Sequence, residues 1–315
     1  MRYIFILFIQ LLTYAAISQN YALVIHGGAG FVQSDQMSAD KKQAYEMSLT
    51  QKLEAGQKML AEGASSLDVV EAVIRMMEND SLYNSGRGSV LNSQGQVECD
   101  ASIMSGIDKQ AGAITGVQHI KNPISSARLV MEKSPHVMMA GSGAEEFAMQ
   151  FNIDLVPNDY FITKRQYDNF KDKIKNSKHG TVGAVALDQN GNIAAGTSTG
   201  GMANKAYGRI GDSPIIGAGT YADNNTCGVS CTGHGEYFIR HAVAYDMSAM
   251  MEYGNKTVDA AAKAIIHKKL KPEAGAGGLI ALDRKGNISM EFNTTAMFRG
   301  YVNQDELYIA IFKED

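Results

Sequence analysis

The chain has 315 residues, 45% of them hydrophobic and 20% charged, and a net charge of −4. That length can bury a large core, and the composition is ordinary for a globular protein. With a slightly acidic balance and no basic run, nucleic acid is excluded as the main partner.

Arg2, the apolar run Tyr3–Ile17 and the small residues Ala16 and Ser18 read as a secretory signal peptide over residues 1–18. An exported protein, periplasmic or secreted, is expected, with no membrane contact once the signal is gone. Tyr21–Ile25 is a β-rich run ending in the corner His26-Gly27-Gly28-Ala29-Gly30. This corner is not a phosphate loop, because no Gly-Lys-Ser/Thr follows. His26 reads as a packed, satisfied histidine. Ala39–Glu62 has helical composition and stops at Gly63; Ser65 opens a second helix whose Val69, Val70, Val73, Ile74 and Met77 form one apolar stripe. Met77–Gly88 is a loop dense in turn formers.

Short polar turns with Gly near their ends occur at Asn92–Gly95, Asp188–Asn192 and Asp283–Asn287. Each separates two apolar runs, as in a β-hairpin, so antiparallel sheet is expected. Helices are expected over Pro123–Lys133, His234–Tyr253 and Thr257–Leu270, and a short strand over Val137–Ala140. Strands flanked by helix pairs in both halves compose an α+β fold, a four-layer αββα sandwich. Cys99, Cys227 and Cys231 are an odd set. Cys227 and Cys231 lie too far apart along a strand for a disulfide, and all three read as small buried hydrophobes.

One junction organises the rest. A polar segment from Asn158 to His179, read with Gly180 as a flexible linker over 158–180, ends where Val182–Leu187 begins. That run is apolar on both faces, as in a fully buried strand. Cutting Gly180–Thr181 would make Thr181 an N-terminus whose amine lies beside its own hydroxyl, a nucleophile and a base in one residue. Alone, Thr181 also reads as a plain strand-opening β-branched residue. A competing motif, Gly196-Thr197-Ser198-Thr199-Gly200, matches the nucleophile elbow of α/β-hydrolases. An elbow must lead straight into a helix, and the glycine-rich Gly200–Gly208 cannot begin one.

Several segments in order give the chain a resemblance to the plant-type L-asparaginase and isoaspartyl peptidase family of N-terminal nucleophile hydrolases. They are His26–Gly30, Asn84–Ser89, Asp100–Met104, Gly180–Val185, Thr197–Gly201, Gly208–Pro214 and Cys231–Glu236. Ser105-Gly106 departs from the family's Asp-Gly. The αββα fold of that family agrees with the layer order above. The resemblance implies self-cleavage between Gly180 and Thr181, into an α-chain of residues 19–180 and a β-chain of 181–315. It implies Thr181 as nucleophile, Thr199 as its activator, and Thr232 with the Gly233 amide as oxyanion hole. Arg209 and Asp212 would take the substrate's α-carboxylate and α-ammonium, and Asn84 would line the pocket. Backbone carbonyls of Met77, Glu78, Asp80, Tyr83, Ser85 and Arg87 would hold a structural sodium ion, with no cofactor for the chemistry. The implied substrates are L-asparagine and β-aspartyl dipeptides, and the implied assembly is a dimer of α/β heterodimers. Glycosylasparaginase is the alternative within the fold. A non-catalytic exported amino-acid-binding protein that never matures is the alternative outside it.

Overall fold

The computed structural model describes residues 20–172 and 180–313. The segment expected to be a signal peptide lies outside the described residues. The fold is α+β, with two β-sheets and eight α-helices among the described residues. The larger sheet contains β1 (Ala22–Gly30), β2 (Cys99–Ser105), β3 (Ala111–Val117), β4 (Met138–Ala140), β5 (Val182–Leu187), β6 (Ile193–Thr199), β11 (Ala296–Asn303) and β12 (Leu307–Phe312). Its spatial order is β12-β11-β1-β5-β6-β2-β3-β4, antiparallel except for β3 with β4. The smaller sheet runs β10 (Ile288–Phe292), β9 (Gly277–Asp283), β8 (Cys227–Gly233), β7 (Thr220–Ala222), antiparallel throughout.

Helices α1 (Ala39–Ala61), α2 (Ser66–Glu78) and α3 (Pro123–Lys133) contact the larger sheet; α7 (Val243–Glu252) and α8 (Val258–Lys263) contact the smaller one. Ser38 and Ser65 cap α1 and α2 by accepting the Lys41 and Asp68 N–H groups, which a helix start otherwise leaves unpaired. The strand period then sorts the core. Val182, Ala184 and Ala186 of β5 join the cluster beneath α1 and α2, whereas Val185 and Leu187 join the second cluster, on the face turned to the smaller sheet, where Val185 lies against Gly228. Thr181, Gly183, Thr197 and Thr199 fall on the inter-sheet side by the same alternation.

The two later turns are the hairpins expected of them. Asp188 N–H reaches the Asn192 carbonyl at 2.9 Å, and Asp283 N–H reaches Asn287 at 3.0 Å. Gly191 and Gly286 supply the positive φ of 75° and 85° that closes each turn. The Asn92 turn has the same bonds, with Gly95 N–H on the Asn92 carbonyl at 3.1 Å, but no hairpin flanks it. The backbone of Leu91 and Ser93 is taken instead by Asn204 and Lys205 of a distant loop, at 2.9 and 2.8 Å.

Other boundaries shift for identifiable reasons. His234–Tyr253 is two helices, α6 (Gly235–Arg240) and α7, because Ala242 is left-handed at φ 46° and the Tyr245 N–H is drawn to Gly217 O at 2.8 Å. Thr257–Leu270 is helical throughout, widening to π-turns from Ala264. The expected linker is partly folded. Between α4 (Gly141–Met149) and β5 it forms a 3₁₀ turn over Asn158–Phe161 and α5 (Lys164–Lys171), whose buried Gln166 donates to Gly88 O at 2.7 Å. Residues 173–179 lie outside the described residues. All three cysteines are buried and free. The strands β11 and β12 are absent from the sequence expectation.

The Asp188 turn carries more than its own geometry. Its carboxylate accepts Asn190 and Asn192 N–H groups at 2.9 and 3.0 Å, and the Ser66 N–H of α2 at 3.0 Å. Asp283 makes only the local bonds, to Lys285 and Asn287. In urea unfolding, Asp188→Ala is expected to cost more than Asp283→Ala, by about 1–3 kcal/mol, because the buried Ser66 N–H is orphaned. Equal costs would mean that the bond from turn to helix carries no stability.

Candidate functional site

The β5–β6 register pairs Val182 with Ser198, so one step further along Thr181 meets Thr199. The Thr181 hydroxyl donates to Thr199 Oγ1 at 3.2 Å, and the Thr199 hydroxyl donates to the Gly180 carbonyl at 3.1 Å. Gly201 N–H donates to Thr199 Oγ1 at 2.9 Å and completes the capacity of that hydroxyl. Asn84 Nδ2 also donates to the Gly180 carbonyl, at 2.7 Å, while its Oδ1 accepts the Val90 N–H at 2.8 Å. The Gly180 carbonyl therefore receives two donors, and the adjacent Thr181 hydroxyl already points its proton at an acceptor. Polarised carbonyl, oriented hydroxyl and proton acceptor are the elements of nucleophilic attack on an amide.

Gly180, Thr181, Thr199, Arg209, Asp212 and Gly233 line one cavity together with Gly201, Met202, Gly211 and Ser213. Its volume of about 20 Å³ has room for a water molecule, not an amino acid. Thr232 is not in this lining; its hydroxyl is buried and accepts the Ala29 N–H at 3.3 Å.

Arg209 is not an idle cation. Its Nε and Nη2 fork onto the two Glu236 oxygens at 2.9 and 3.0 Å, the geometry of a bidentate ion pair. Glu236 sits at the start of α6, and Arg209 holds its carboxyl below the usual range. The remaining guanidinium edge, with Nη1, is what a second carboxylate would take. Asp212 is buried, and its Oδ2 has no hydrogen-bond partner. Burial lifts its pKa from the ordinary 3.8 to about 7. An orphaned buried carboxylate oxygen facing a cavity is a place for a cation. A Cβ on Gly235 would sit 2.9 Å from Asp212 Oδ1 and 3.0 Å from Arg209 Nη2. Gly235 thus leaves open the space between the two charged groups. Glu236 and Gly235 lie in the Cys231–Glu236 segment but have no role in the sequence expectation. A glycine's missing side chain and an exposed Glu carry no signal until the fold places them.

The loop after α2 reaches this cavity through Asn84, which donates to the Gly180 and Gly201 carbonyls of its lining. Gly86 and Gly88 have φ of 49° and 112°, and a Cβ on either would strike carbonyl oxygens of Glu78, Ser81 or Tyr83. The Met77 and Asp80 carbonyls each accept loop N–H groups and keep lone-pair capacity. The Glu78 carboxylate points elsewhere, onto Ser198, Ile124 N–H and Asn122, and that of Asp80 onto Lys52 and Ser48. Crowded carbonyls with side chains turned away fit a carbonyl-held hard cation. Ser198, the would-be elbow nucleophile, is spent on Glu78, and no helix follows it.

The Asp212 shift makes a stability prediction. In the fold Asp212 keeps its proton up to about pH 7, and in the unfolded chain only up to about 3.8. Stability therefore falls as pH rises between those values, and the full penalty persists above the upper one. Asp212→Asn should raise the unfolding free energy in urea at pH 8, by on the order of 2–4 kcal/mol, and the gap should close toward pH 4. A gap independent of pH would refute the buried-carboxylate account.

Comparison with known proteins places this chain in a family. A family model described as Asparaginase matches residues 19–311. The chain is 46% identical to the isoaspartyl peptidase of Escherichia coli, over 89% of this chain and 92% of that protein. It is 43% identical to the probable isoaspartyl peptidase/L-asparaginase 2 of Arabidopsis thaliana, over 91% and 97%. It is 39% identical to the isoaspartyl peptidase/L-asparaginase of Homo sapiens, over 94% and 97%. These similarities overturn the expectation of an exported, periplasmic or secreted enzyme, since kinship with the Escherichia coli, mouse and human proteins does not indicate export. An apolar run with one Arg and small flanking residues is a pattern of composition alone, and here it misled. No helix among the described residues is long and apolar enough to cross a membrane. The chain belongs to the asparaginase family of N-terminal nucleophile hydrolases.

Proposed function

We propose that this chain cleaves itself before Thr181 and then hydrolyses L-asparagine and β-aspartyl dipeptides through that residue. The observation that carries the reading is the pair of donors on the Gly180 carbonyl beside the oriented Thr181 hydroxyl. In self-cleavage, Thr181 Oγ1 attacks the Gly180 carbonyl carbon while its proton passes toward Thr199. Asn84 and Thr199 stabilise the developing oxyanion. The Gly180–Thr181 C–N bond breaks, the nitrogen takes up a proton, and an ester remains. Water hydrolyses it to a Gly180 carboxylate and a free Thr181 amine and hydroxyl. The products are an α-chain ending at Gly180, whose last stretch is the 158–180 linker, and a β-chain of 181–315, within a four-layer αββα sandwich. Assembly as a dimer of such heterodimers rests on the resemblance alone.

Departure of the Gly180 end would enlarge a cavity that is too small for an amino acid while that end fills it. The freed α-amine titrates near neutral, about pKa 7.7–8.0, and serves as general base. Arg209 takes the substrate α-carboxylate with its free edge, Glu236 holding the other. Ionised Asp212 takes the α-ammonium. Thr181 Oγ1 then attacks the side-chain carbonyl, giving a β-aspartyl ester and releasing ammonia or an amino acid. Thr232 and the Gly233 amide form the second oxyanion hole, Thr232 as the residue behind the lining. Enzymes of this family need no cofactor for the chemistry. Met77, Glu78, Asp80, Tyr83, Ser85 and Arg87 would hold a sodium ion by their carbonyls, as a structural element of the loop that carries Asn84.

The test is a side-by-side assay of L-asparagine, β-Asp-Leu, α-Asp-Leu and N-acetyl-L-asparagine. Only the first two satisfy both Arg209 and Asp212, so only they should be turned over, and α-Asp-Leu should fall at least about a hundredfold below β-Asp-Leu. Comparable rates on the two dipeptides would refute the clamp. Activity confined to glycan-linked Asn would hand the function to glycosylasparaginase, and binding without turnover to a non-catalytic protein. Asn84→Ala should slow self-cleavage by about 10²–10³-fold, the typical loss of one oxyanion donor. Unchanged processing would remove Asn84 from that role.

A further inference from the structure

Five polar side chains, each 0% exposed, run as one chain of hydrogen bonds between the two sheets and end on the backbone of Thr181. His26 Nδ1 lies 3.1 Å from the Thr181 carbonyl oxygen, and Nε2 lies 3.0 Å from Ser230 Oγ. Ser230 Oγ is 2.6 Å from Thr197 Oγ1, which accepts the Thr220 hydroxyl at 2.5 Å. Ser102 continues the chain, its hydroxyl within 2.8 Å of Thr220 Oγ1 and 2.6 Å of the Ser213 carbonyl. The links alternate between sheets: β1, β8, β6, β7, β2.

The polarity of the His26 end of the chain is determined by chemistry. A carbonyl cannot donate, so Nδ1 carries the proton that meets Thr181. Burial drives the imidazole pKa down to about 3, so the ring is neutral and Nε2 must accept. Ser230 therefore donates to His26, and Thr197 accepts from Thr220 while its own proton has Ser230 Oγ at 2.6 Å and the Gly219 carbonyl at 3.1 Å as acceptors. Gly183 gives independent evidence that the space is reserved for this chain. A Cβ at that position, two residues from Thr181, would collide with both Ser230 Oγ and His26 Nε2. Burying five polar side chains is costly unless all are satisfied, and a satisfied network holds its members in one arrangement.

We propose that His26 is a positioning residue for Thr181, holding the nucleophile's own carbonyl while the hydroxyl chain through Ser230, Thr197 and Thr220 holds His26 in the tautomer that can do so. The proposal rests on Thr181 being the nucleophile. After cleavage Thr181 has no preceding residue to anchor it, and chain termini fray unless tied down. Its carbonyl is the remaining backbone handle. Fixing that peptide plane sets the frame from which the amine and Oγ1 are presented, and a misplacement of about 1 Å can cost a hundredfold in rate.

The experiment compares His26→Ala, His26→Asn and Ser230→Ala in the full chain for self-cleavage rate, kcat, KM for β-Asp-Leu and thermal midpoint. Asn offers an N–H where Nδ1–H stood, so it separates donation from packing. His26→Ala should lower kcat about 10- to 100-fold with KM within about twofold, and slow self-cleavage in parallel. His26→Asn should recover most of both rates. Ser230→Ala, which leaves the ring in place, should lie between. If His26→Ala does not fold, Ser230→Ala and His26→Asn still decide. A Ser230→Ala kcat within twofold of wild type, or an Asn variant no better than Ala, overturns the proposal. A thermal midpoint that falls while kcat holds would make the chain purely structural. Whether Thr181 is the nucleophile is decided separately, by the Thr181→Ala variant, whose cleavage or activity would sink the underlying reading rather than the role of His26.

Discussion

The register of β5 against β6 is the constraint on which the site depends. The pairing of Val182 with Ser198 carries Thr181 to Thr199 and leaves the Gly180 carbonyl under the Thr199 hydroxyl. A slip of one residue would turn every side chain of the strand to the other face, sending Thr181 toward the helices and Val182 between the sheets. What prevents the slip is the Asp188–Asn192 turn at the far end of the hairpin. Its carboxylate and left-handed Gly191 set the loop length, and its bond to Ser66 ties it to α2. Both faces of the strand are also buried, so the apolar pattern and the turn agree on one register. The Thr181 hydroxyl is thus placed by a turn at the opposite end of its strand.

The same junction was the most legible part of the sequence. A polar run giving way to Gly180-Thr181 and a doubly apolar strand is a local signal, as are the Asp-x-x-Gly-Asn turns. Long-range geometry was not legible. Asn92 has the turn chemistry of Asp188, yet no hairpin, because Asn204 and Lys205 compete for the flanking backbone. His26 read correctly as satisfied, but its partners, Thr181 and Ser230, are 155 and 204 residues away. Glu236 sat in a motif without a role, since its pairing with Arg209 spans 27 residues. Arg209 was a carboxylate partner by resemblance; in the fold half its fork is already occupied by Glu236. Export was read from composition alone and failed.

Two buried carboxylates carry a cost. Asp212 is buried with an unpartnered oxygen, and Glu78 behind β6 is fully buried with its pKa raised to about 7. Each disfavours the folded state at neutral pH. Glu78 offsets part of this through three donors, Ser198, Ile124 N–H and Asn122. Asp212 Oδ2 lacks such a donor, which suits the ammonium role proposed for it. Arg209 is held in reserve by Glu236 in the same sense, pre-oriented and only partly neutralised. In the proposed function, stability is traded for a pocket that recognises both charges of a free amino-acid end.

The central claim is that Thr181 makes itself the N-terminus of a new chain. Intact mass spectrometry of purified protein, for wild type and Thr181→Ala, tests it most directly. The account predicts a wild-type fragment beginning at Thr181 and ending at Asp315, and a single uncut chain for the variant. A wild-type chain that stays whole after long incubation, or a variant cut at the same bond, would contradict it.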